Sequence, residues 1–211
     1  AALLVKFDEH LDTIWTKTYL LSSSYTSTYQ CKQTPDSGFV ITGHTDYGNA
    51  QYDYDALLIK TDSLGNMEWY QKYGHSGGYD KTYIVENAYD GGYLLAGASN
   101  IDGTDDCYII KTDSEGNQEW YKTYGSSVYG EGKINDLQII EDSSYLFTSG
   151  IGVGYNSTDM YTYKKALIVK INNDGDIIWS KELEDSLKGN YFVSMNLSSH
   201  GIYVNRLYGT N

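Results

Sequence analysis

Carboxylates are the residues of this chain with the widest choice of chemistry. Asp and Glu together number 28 of 211 residues, and no spacing singles out one pair as the two acids of a glycosidase. Carboxylate oxygens are also the ligands that Ca2+ prefers, and two groups of acids fall in equivalent connections of neighbouring repeats. The candidate calcium ligands are Asp53, Asp55, Asp102, Asp105 and Asp106.

Tyrosine is the second unusual feature, with 23 residues in the chain. Its ring offers a large apolar surface with a polar tip, which suits stacking on a sugar or contact with another protein. Tyrosine also favours strands, but that preference accounts poorly for the tyrosines in long connections. The candidate ligand-binding residues are Tyr47, Tyr52, Tyr54, Asp102, Asp105, Tyr155 and Tyr161.

Other polar residues give weaker indications of a site. His44 and His75 map to one end of the strands but lack the ligand spacing of zinc sites, so we interpret them as surface histidines. Asn156 and Asn196 lie in the sequons NST and NLS, which become glycosylated only in an exported protein. Apart from the calcium candidates, no motif indicates a cofactor.

The composition excludes some classes of partner. A net charge of -13 with a single arginine argues against nucleic acid. No apolar run approaches the length of a membrane-spanning helix. The sequence starts at Ala1 rather than at methionine, which fits removal of a signal peptide but also fits a shortened or incompletely known terminus. On the first interpretation we expect an extracellular or cell-surface location.

One pattern, a lysine nine residues before a tryptophan, occurs four times. The copies read KFDEHLDTIW, KTDSLGNMEW, KTDSEGNQEW and KINNDGDIIW. Gly65, Gly116 and Gly175 share one turn position, where glycine permits the left-handed conformation of a hairpin turn. Leu11 stands there in the first copy. Each copy predicts a β-hairpin between an apolar strand and a strand centred on the tryptophan.

A second hairpin precedes each apolar strand, most clearly between Lys81 and Ser99. Each repeat thus contains four antiparallel strands, and repeats of about 40 to 50 residues with this content are typical of a β-propeller. We predict an all-β single domain over residues 1–211, with four strands per blade. Its complete blades would span residues 25–73, 80–124 and 132–183.

The chain starts with a third and fourth strand within residues 1–20 and ends with a first and second strand within residues 190–208. These two half-blades together make one blade. We therefore predict a four-bladed β-propeller whose last blade is closed by the N- and C-terminal half-blades. Two alternatives remain: the chain is part of a larger ring, or the half-blades pair between neighbouring molecules and build a polymer.

The predicted connections differ between the two ends of the strands. Tight turns such as PDSG, DGG and TDSLGN lie at one end, and long, dissimilar connections lie at the other. Variable loops on a regular scaffold commonly carry binding. The loop-rich end is therefore the expected binding face.

The segments DALLIKTDSLGNMEWYQKYG, DGGYLLAG and DCYIIKTDSEGNQEWYKTYG resemble the repeat of a family of secreted archaeal and bacterial β-propeller proteins. The resemblance extends over the whole chain and is weaker in the first and last copies. It implies an extracellular or cell-surface propeller with a role in adhesion or envelope structure. The family provides no catalytic residues to transfer to this sequence.

Together these patterns predict a non-catalytic interaction module that binds a protein or a glycan through its loop-rich face. One alternative is a structural subunit of a self-assembling surface layer or filament, which would form homo-oligomers. The other is a glycan-acting enzyme, which would need two carboxylates or histidines converging at the central channel.

Overall fold

A computed structural model describes residues 1–21, 25–46, 53–75, 78–101, 103, 105–125, 132–140, 143–152, 163–184, 193–199 and 201–206. The regular structure in these ranges is entirely antiparallel β-strand, so the predicted all-β class is confirmed. The strands are β1 Ala2–Phe7, β2 Thr13–Tyr19, β3 Thr26–Gln33, β4 Phe39–Asp46, β5 Tyr54–Thr61, β6 Met67–Tyr73, β7 Asp80–Asn87, β8 Tyr93–Ser99, β9 Asp106–Thr112, β10 Gln118–Tyr124, β11 Ile134–Ile140, β12 Ser144–Gly152, β13 Tyr163–Ile171, β14 Ile177–Glu184, β15 Val193–Ser198 and β16 Gly201–Arg206.

These strands form five sheets in chain order. Strands β3 to β6 form sheet 1, β7 to β10 form sheet 2 and β11 to β14 form sheet 3, each with its four strands side by side. The remaining strands form an N-terminal hairpin, β1 and β2, and a C-terminal hairpin, β15 and β16. Buried apolar clusters lie between successive sheets, so the third strands of sheets 1 and 2 are buried on both faces.

The hairpin predicted from the Lys-to-Trp pattern is present in every copy. The lysine pairs directly with the tryptophan, and the register shifts beside this pair each time. The paired residues are Lys6 with Trp15, Lys60 with Trp69, Lys111 with Trp120 and Lys170 with Trp179. The identical register shows that the four copies are structurally equivalent.

The turn of this hairpin also repeats. Gly65, Gly116 and Gly175 have φ values of 75°, 81° and 77°, the left-handed conformation expected from the sequence. Leu11 adopts the same conformation with φ of 67°, although a residue with a Cβ pays about 1 kcal/mol there. The first turn therefore keeps the shape of the others at a cost in backbone strain.

Neighbouring sheets are joined by what we call the aromatic clamp: a tryptophan, and a tyrosine four residues after it, that hold the turn of the next sheet. The tyrosine hydroxyl donates a hydrogen bond to the carbonyl oxygen of the turn glycine, from Tyr19 to Gly65 at 2.9 Å, from Tyr73 to Gly116 at 2.8 Å and from Tyr124 to Gly175 at 2.8 Å. The tryptophan ring lies on the same glycine, so closely that a Cβ added to Gly65 would be 2.8 Å from the ring of Trp15.

The lysines of the repeat are buried at the tight-turn end in sheets 1 and 2. Residues two apart share one face of a strand, so the sequence predicts a structural pair between Lys60 and Asp62, but this prediction is wrong. The ammonium group of Lys60 donates to Asp36 at 2.7 Å and to Glu68 at 2.9 Å, while Asp62 accepts from the amides of its own turn. The turn needs the aspartate, so the lysine takes its partners from the β3–β4 turn and from β6.

The four terminal strands do not form one sheet. The N-terminal and C-terminal hairpins are separate two-stranded sheets among the described residues, so the closed fourth blade predicted from the sequence is not found there. A contact that closed the fourth blade would bring together the two positions at which the sequence departs from its repeat. Leu11 stands in place of the turn glycine, and Leu183, which pairs with Ala166 as Tyr73 pairs with Ala56, stands in place of the clamp tyrosine.

Candidate functional site

The first strands of sheets 1 and 2 each contain a bulge near the loop-rich end. The register shifts between Thr28 and Gln30 in β3 and between Thr82 and Ile84 in β7. Bulges of this kind redirect a side chain and occur next to functional sites. The residues displaced from the ladder are Tyr29 and Tyr83, and their rings meet edge to face with centroids 4.8 Å apart.

Glycine is required opposite these bulges. A Cβ added to Gly43 would lie 1.9 Å from the carbonyl oxygen of Ser27, and one added to Gly97 would lie 1.9 Å from that of Lys81. The bulged strand approaches its neighbour too closely for any side chain there. This pair of glycines in ITGHT and LLAGA is the signal in the sequence that could have located the bulges.

His44 on β4 lies at the centre of the aromatic residues at this end. The centroid of its ring lies 5.5 Å from that of Tyr29, 5.9 Å from that of Tyr25 and 5.1 Å from that of Tyr54. We name the group around it the tyrosine cluster; its members are Tyr25, Tyr29, Tyr54, Tyr79 and Tyr83. His44 itself is 4% exposed, so the interpretation as a surface histidine is wrong.

Two lysines border the tyrosine cluster. The ammonium group of Lys81 lies 4.4 Å from the ring centre of Tyr54 and 4.8 Å from that of Tyr79, within cation–π distance. Lys133, which precedes β11, lies over the ring of Tyr83 at 5.1 Å. Burial lowers the pKa of Lys81. The cluster therefore spans sheets 1 and 2, and a residue adjoining sheet 3 extends it.

The tyrosine cluster is accessible from solvent. Tyr25 is 49% exposed and Tyr29 is 51% exposed, whereas His44 is buried beneath them. Tyr25 is held in place by its backbone, because its amide donates to the carboxylate of Asp46 at 3.0 Å and its carbonyl oxygen accepts from the Asp46 amide at 3.1 Å. The result is a fixed aromatic surface with several phenol groups at its rim.

Two of the candidate ligand-binding residues lie at this surface. Tyr54 is a member of the cluster. Burial lowers the pKa of Lys81 and raises that of Tyr83, and the charge of Asp105 has a smaller, raising effect on the pKa of both residues, so Asp105 lies near them. The other candidates, Tyr47, Tyr52, Asp102, Tyr155 and Tyr161, lie outside the described residues. The sequence did not single out Tyr25, Tyr29 or Tyr83.

A second polar group lies between sheets 1 and 2. Asp55 on β5 is 3% exposed and Asp80 on β7 is 1% exposed. The amide of His75 donates to the Asp80 carboxylate at 2.9 Å. Burial is the main cause that raises the pKa of Asp55 to about 6, with Asp53 and Asp80 also contributing. Since a glycosidase needs two carboxyl groups that the sugar can reach, this buried pair does not have the arrangement of a catalytic site.

His44 and Asp55 give opposite pH dependences of stability. Burial lowers the pKa of His44 from 6.5 to about 4, so its contribution is complete above pH 6.5 and is lost as the pH falls towards 4. The raised pKa of Asp55 means that stability is lost as the pH rises from 3.8 to about 6. At about 1.4 kcal/mol per pKa unit, each contribution is roughly 3 kcal/mol, and between pH 4 and 6 they largely cancel.

We therefore expect that replacing either residue makes the effect of the other visible in the pH dependence of the free energy of unfolding. Asp55→Asn removes the stability lost as the pH rises, so relative to the parent its free energy of unfolding should increase between pH 3.8 and 6. His44→Gln removes the stability gained as the pH rises, so relative to the parent its free energy of unfolding should decrease between pH 4 and 6.5. Urea unfolding of both variants and of the parent protein, at intervals of half a pH unit, measures this. All other ionisable groups are the same in the three proteins. If the free energy of unfolding of both variants has the same pH dependence as that of the parent protein, the pKa shifts assigned to His44 and Asp55 are wrong.

The calcium candidates are only partly assembled. Asp55 and Asp106 occupy equivalent positions of sheets 1 and 2, where each lies against a glycine of its own sheet: a Cβ on Gly74 would be 1.9 Å from Asp55, and one on Gly125 would be 2.0 Å from Asp106. Within the described ranges, no group of three or more His, Cys, Asp or Glu residues could hold a metal ion. Calcium binding stays a prediction from the sequence.

Two further features concern the surface of the protein. Asn196 of the second sequon is exposed on β15, and Asn156 lies outside the described residues. No helix suited to crossing a membrane was found in the part of the chain that the structure describes.

Comparisons with known proteins do not assign this site. No protein-family model matches the sequence, and no curated protein matches it. The fold is similar to the crystal structure of a protein of unknown function from Bacteroides caccae, with a TM-score of 0.41 and 9% sequence identity over 84% of this chain and 73% of that chain.

Proposed function

We propose that the protein is a non-catalytic, extracellular carbohydrate-binding module, and that the tyrosine cluster is its binding surface. The observation that carries this proposal is the half-exposed pair Tyr25 and Tyr29, fixed over a buried histidine. A pyranose ring has an apolar C–H face and a rim of hydroxyl groups. A rigid aromatic surface with phenol hydroxyls and ammonium groups at its edge complements both.

The position of the cluster supports a binding role. It is built from the first, second and third strands of sheet 1 and the first strand of sheet 2, with the residues just before two of these strands. It lies at the end of the strands where the sequence predicts the long connections, and such connections commonly carry binding. Tyr29, Tyr54 and Tyr83 lie on regular strands, which hold a site more rigidly than loops do. Asp105 and Lys81 add polar groups that can fix the orientation of a bound sugar.

The scaffold that we propose is of the β-propeller type. Sheets 1, 2 and 3 would be its complete blades, with the bulged first strands β3, β7 and β11 nearest the centre, because contacts between successive sheets run through them. A fourth blade would need an N-terminal hairpin beside a C-terminal hairpin. Secretion is proposed from the resemblance of the repeats.

The experiment is a glycan array followed by titration of the best glycan against variants. Tyr25→Ser with Tyr29→Ser should weaken binding by tenfold or more, because truncating central aromatic contacts typically has effects of this size. Since both side chains are half exposed, the unfolding temperature should change little.

The matched control is Tyr89→Ser, which removes a tyrosine that is 57% exposed in a tight turn at the opposite end of sheet 2. It should bind as the parent protein does. Equal losses in both variants, or full binding by the cluster variant, would refute the proposed surface. Binding of a protein but of no glycan would refute the proposed ligand class.

A further inference from the structure

At the C-terminal end of the fold, a clamp tryptophan is present, but among the described residues no turn lies beneath it. Trp179 occupies the clamp position of sheet 3 but is 38% exposed. It lines an open cavity of about 680 Å³ together with Ile140 and Lys170 of sheet 3 and Leu197 and Ile202 of the C-terminal hairpin. At each of the contacts between sheets that precede it in the chain, the clamp tryptophan lies on the turn between the third and fourth strands of the next sheet.

Among the described residues, no third and fourth strand lies next to the C-terminal hairpin. The N-terminal hairpin is equivalent to such a pair, since its Lys6 and Trp15 have the register of Lys60 and Trp69. Joined to β16, it would complete a sheet of the order seen in sheets 1, 2 and 3.

The N-terminal hairpin exposes the face that this contact requires. Leu3 is 60% exposed, whereas the residues at its register position in sheets 1, 2 and 3, which are Leu57, Tyr108 and Leu167, are 0%, 0% and 7% exposed. Those residues are buried against the preceding sheet. The opposite face of the hairpin is already used, because Ala2 and Tyr19 pack with Leu57 and Ile59 of sheet 1.

The turn of the N-terminal hairpin already has the conformation that a clamp accepts. The carboxylate of Asp8 accepts hydrogen bonds at 2.9 Å from the amides of His10 and Asp12, as Asp62 and Asp113 do from the equivalent amides of their turns. Its shape is therefore formed without a clamp upon it.

We propose that the N-terminal hairpin of one copy fills the cavity beside the C-terminal hairpin of another copy, so that the protein associates head to tail. The occupant is assigned to a second copy because, within one chain, the two hairpins are separate sheets. The same series of sheets then continues from one copy into the next, with β16 paired to β1 of the added copy. This inference goes beyond the proposed carbohydrate binding and does not depend on it.

Two sequence departures make this contact weaker than the contacts within the chain. Leu11 carries a Cβ where the clamp tryptophan lies on glycine, and Leu183 lacks the hydroxyl that donates to the turn. Association through such a contact is reversible, so it depends on protein concentration.

The test uses variants that block one end each. Leu3→Lys alters the N-terminal hairpin and Ile202→Lys alters the cavity; both positions are largely solvent exposed, at 60% and 44%, so each variant should remain folded by circular dichroism. In sedimentation velocity, the parent protein should increase in mass with concentration, and each variant alone should stay monomeric. An equal mixture should give a one-to-one dimer and nothing larger, because each variant keeps one intact end.

The control is Leu64→Lys, at an apolar residue that is 62% exposed in the β5–β6 turn, and it should associate as the parent does. Leu11→Gly with Leu183→Tyr restores the repeat and should strengthen association by at least tenfold. A parent protein that is monomeric at all concentrations, variants that associate normally, or a mixture that forms no dimer would each overturn the proposal.

Discussion

Replacing Gly116 by alanine should destabilise the protein by about 2 to 4 kcal/mol. Two costs add together. Gly116 has φ of 81°, where a residue with a Cβ loses about 1 kcal/mol. The new Cβ would also lie 2.7 Å from the ring of Trp69, and an overpacked contact of this kind costs about 1 to 3 kcal/mol. Urea unfolding monitored by circular dichroism measures the loss.

Gly91→Ala provides the matched control. Gly91 has φ of 88°, but no atom lies within 4 Å of an added Cβ, so only the backbone cost of about 1 kcal/mol applies. The difference between the two variants isolates the contact with the clamp. Equal losses would show that the turn of sheet 2 is not held against Trp69.

Replacing Trp120 by alanine should cost about 3 to 5 kcal/mol, the usual effect of removing a large aromatic side chain from a packed site. Its ring packs against the apolar cluster between sheets 2 and 3 and lies on Gly175. Its indole nitrogen also donates to the carbonyl oxygen of Asn173 at 3.1 Å. Urea unfolding of this variant and of the parent, at equal protein concentration, gives the difference.

Trp179→Ala is the internal comparison, because it removes the same side chain from the same register position. Trp179 lines an open cavity instead of lying on a turn, so its loss should cost about 1 kcal/mol in dilute protein, as for a half-exposed side chain. If the two substitutions destabilise the monomer equally, the aromatic clamp does not stabilise the boundary between sheets 2 and 3.

Local patterns in this sequence predict hairpins well and contacts between hairpins poorly. The nine-residue separation of Lys60 and Trp69 fixes their pairing, because a turn of known length leaves one register. The same pattern does not predict the partners of Lys60, because Asp36 comes from a different hairpin. The position of Asp36 relative to Lys60 depends on how β4 pairs with β5, and the pattern around Lys60 carries no information on that pairing.

The tyrosine cluster illustrates the same limit. Tyr54 was found because it follows a long connection, but Tyr29 and Tyr83 appear in the sequence as ordinary strand residues. Only a bulge brings them together, and the bulge depends on a close approach to Gly43 and Gly97 on neighbouring strands. The predicted closure of a fourth blade stays a prediction, and Leu11 and Leu183, where the sequence departs from its own repeat, would meet at that contact.

The clamps also predict an order in which amide protons exchange with solvent. Sheet 2 presents its turn to Trp69 on one side and holds the turn of sheet 3 through Trp120 on the other, whereas each terminal hairpin adjoins only one sheet. Where stability comes mainly from neighbour contacts, opening starts at the ends and reaches the middle last. Because Tyr29 and Tyr83 belong to sheets 1 and 2, the proposed binding surface would survive fraying of the C-terminal hairpin.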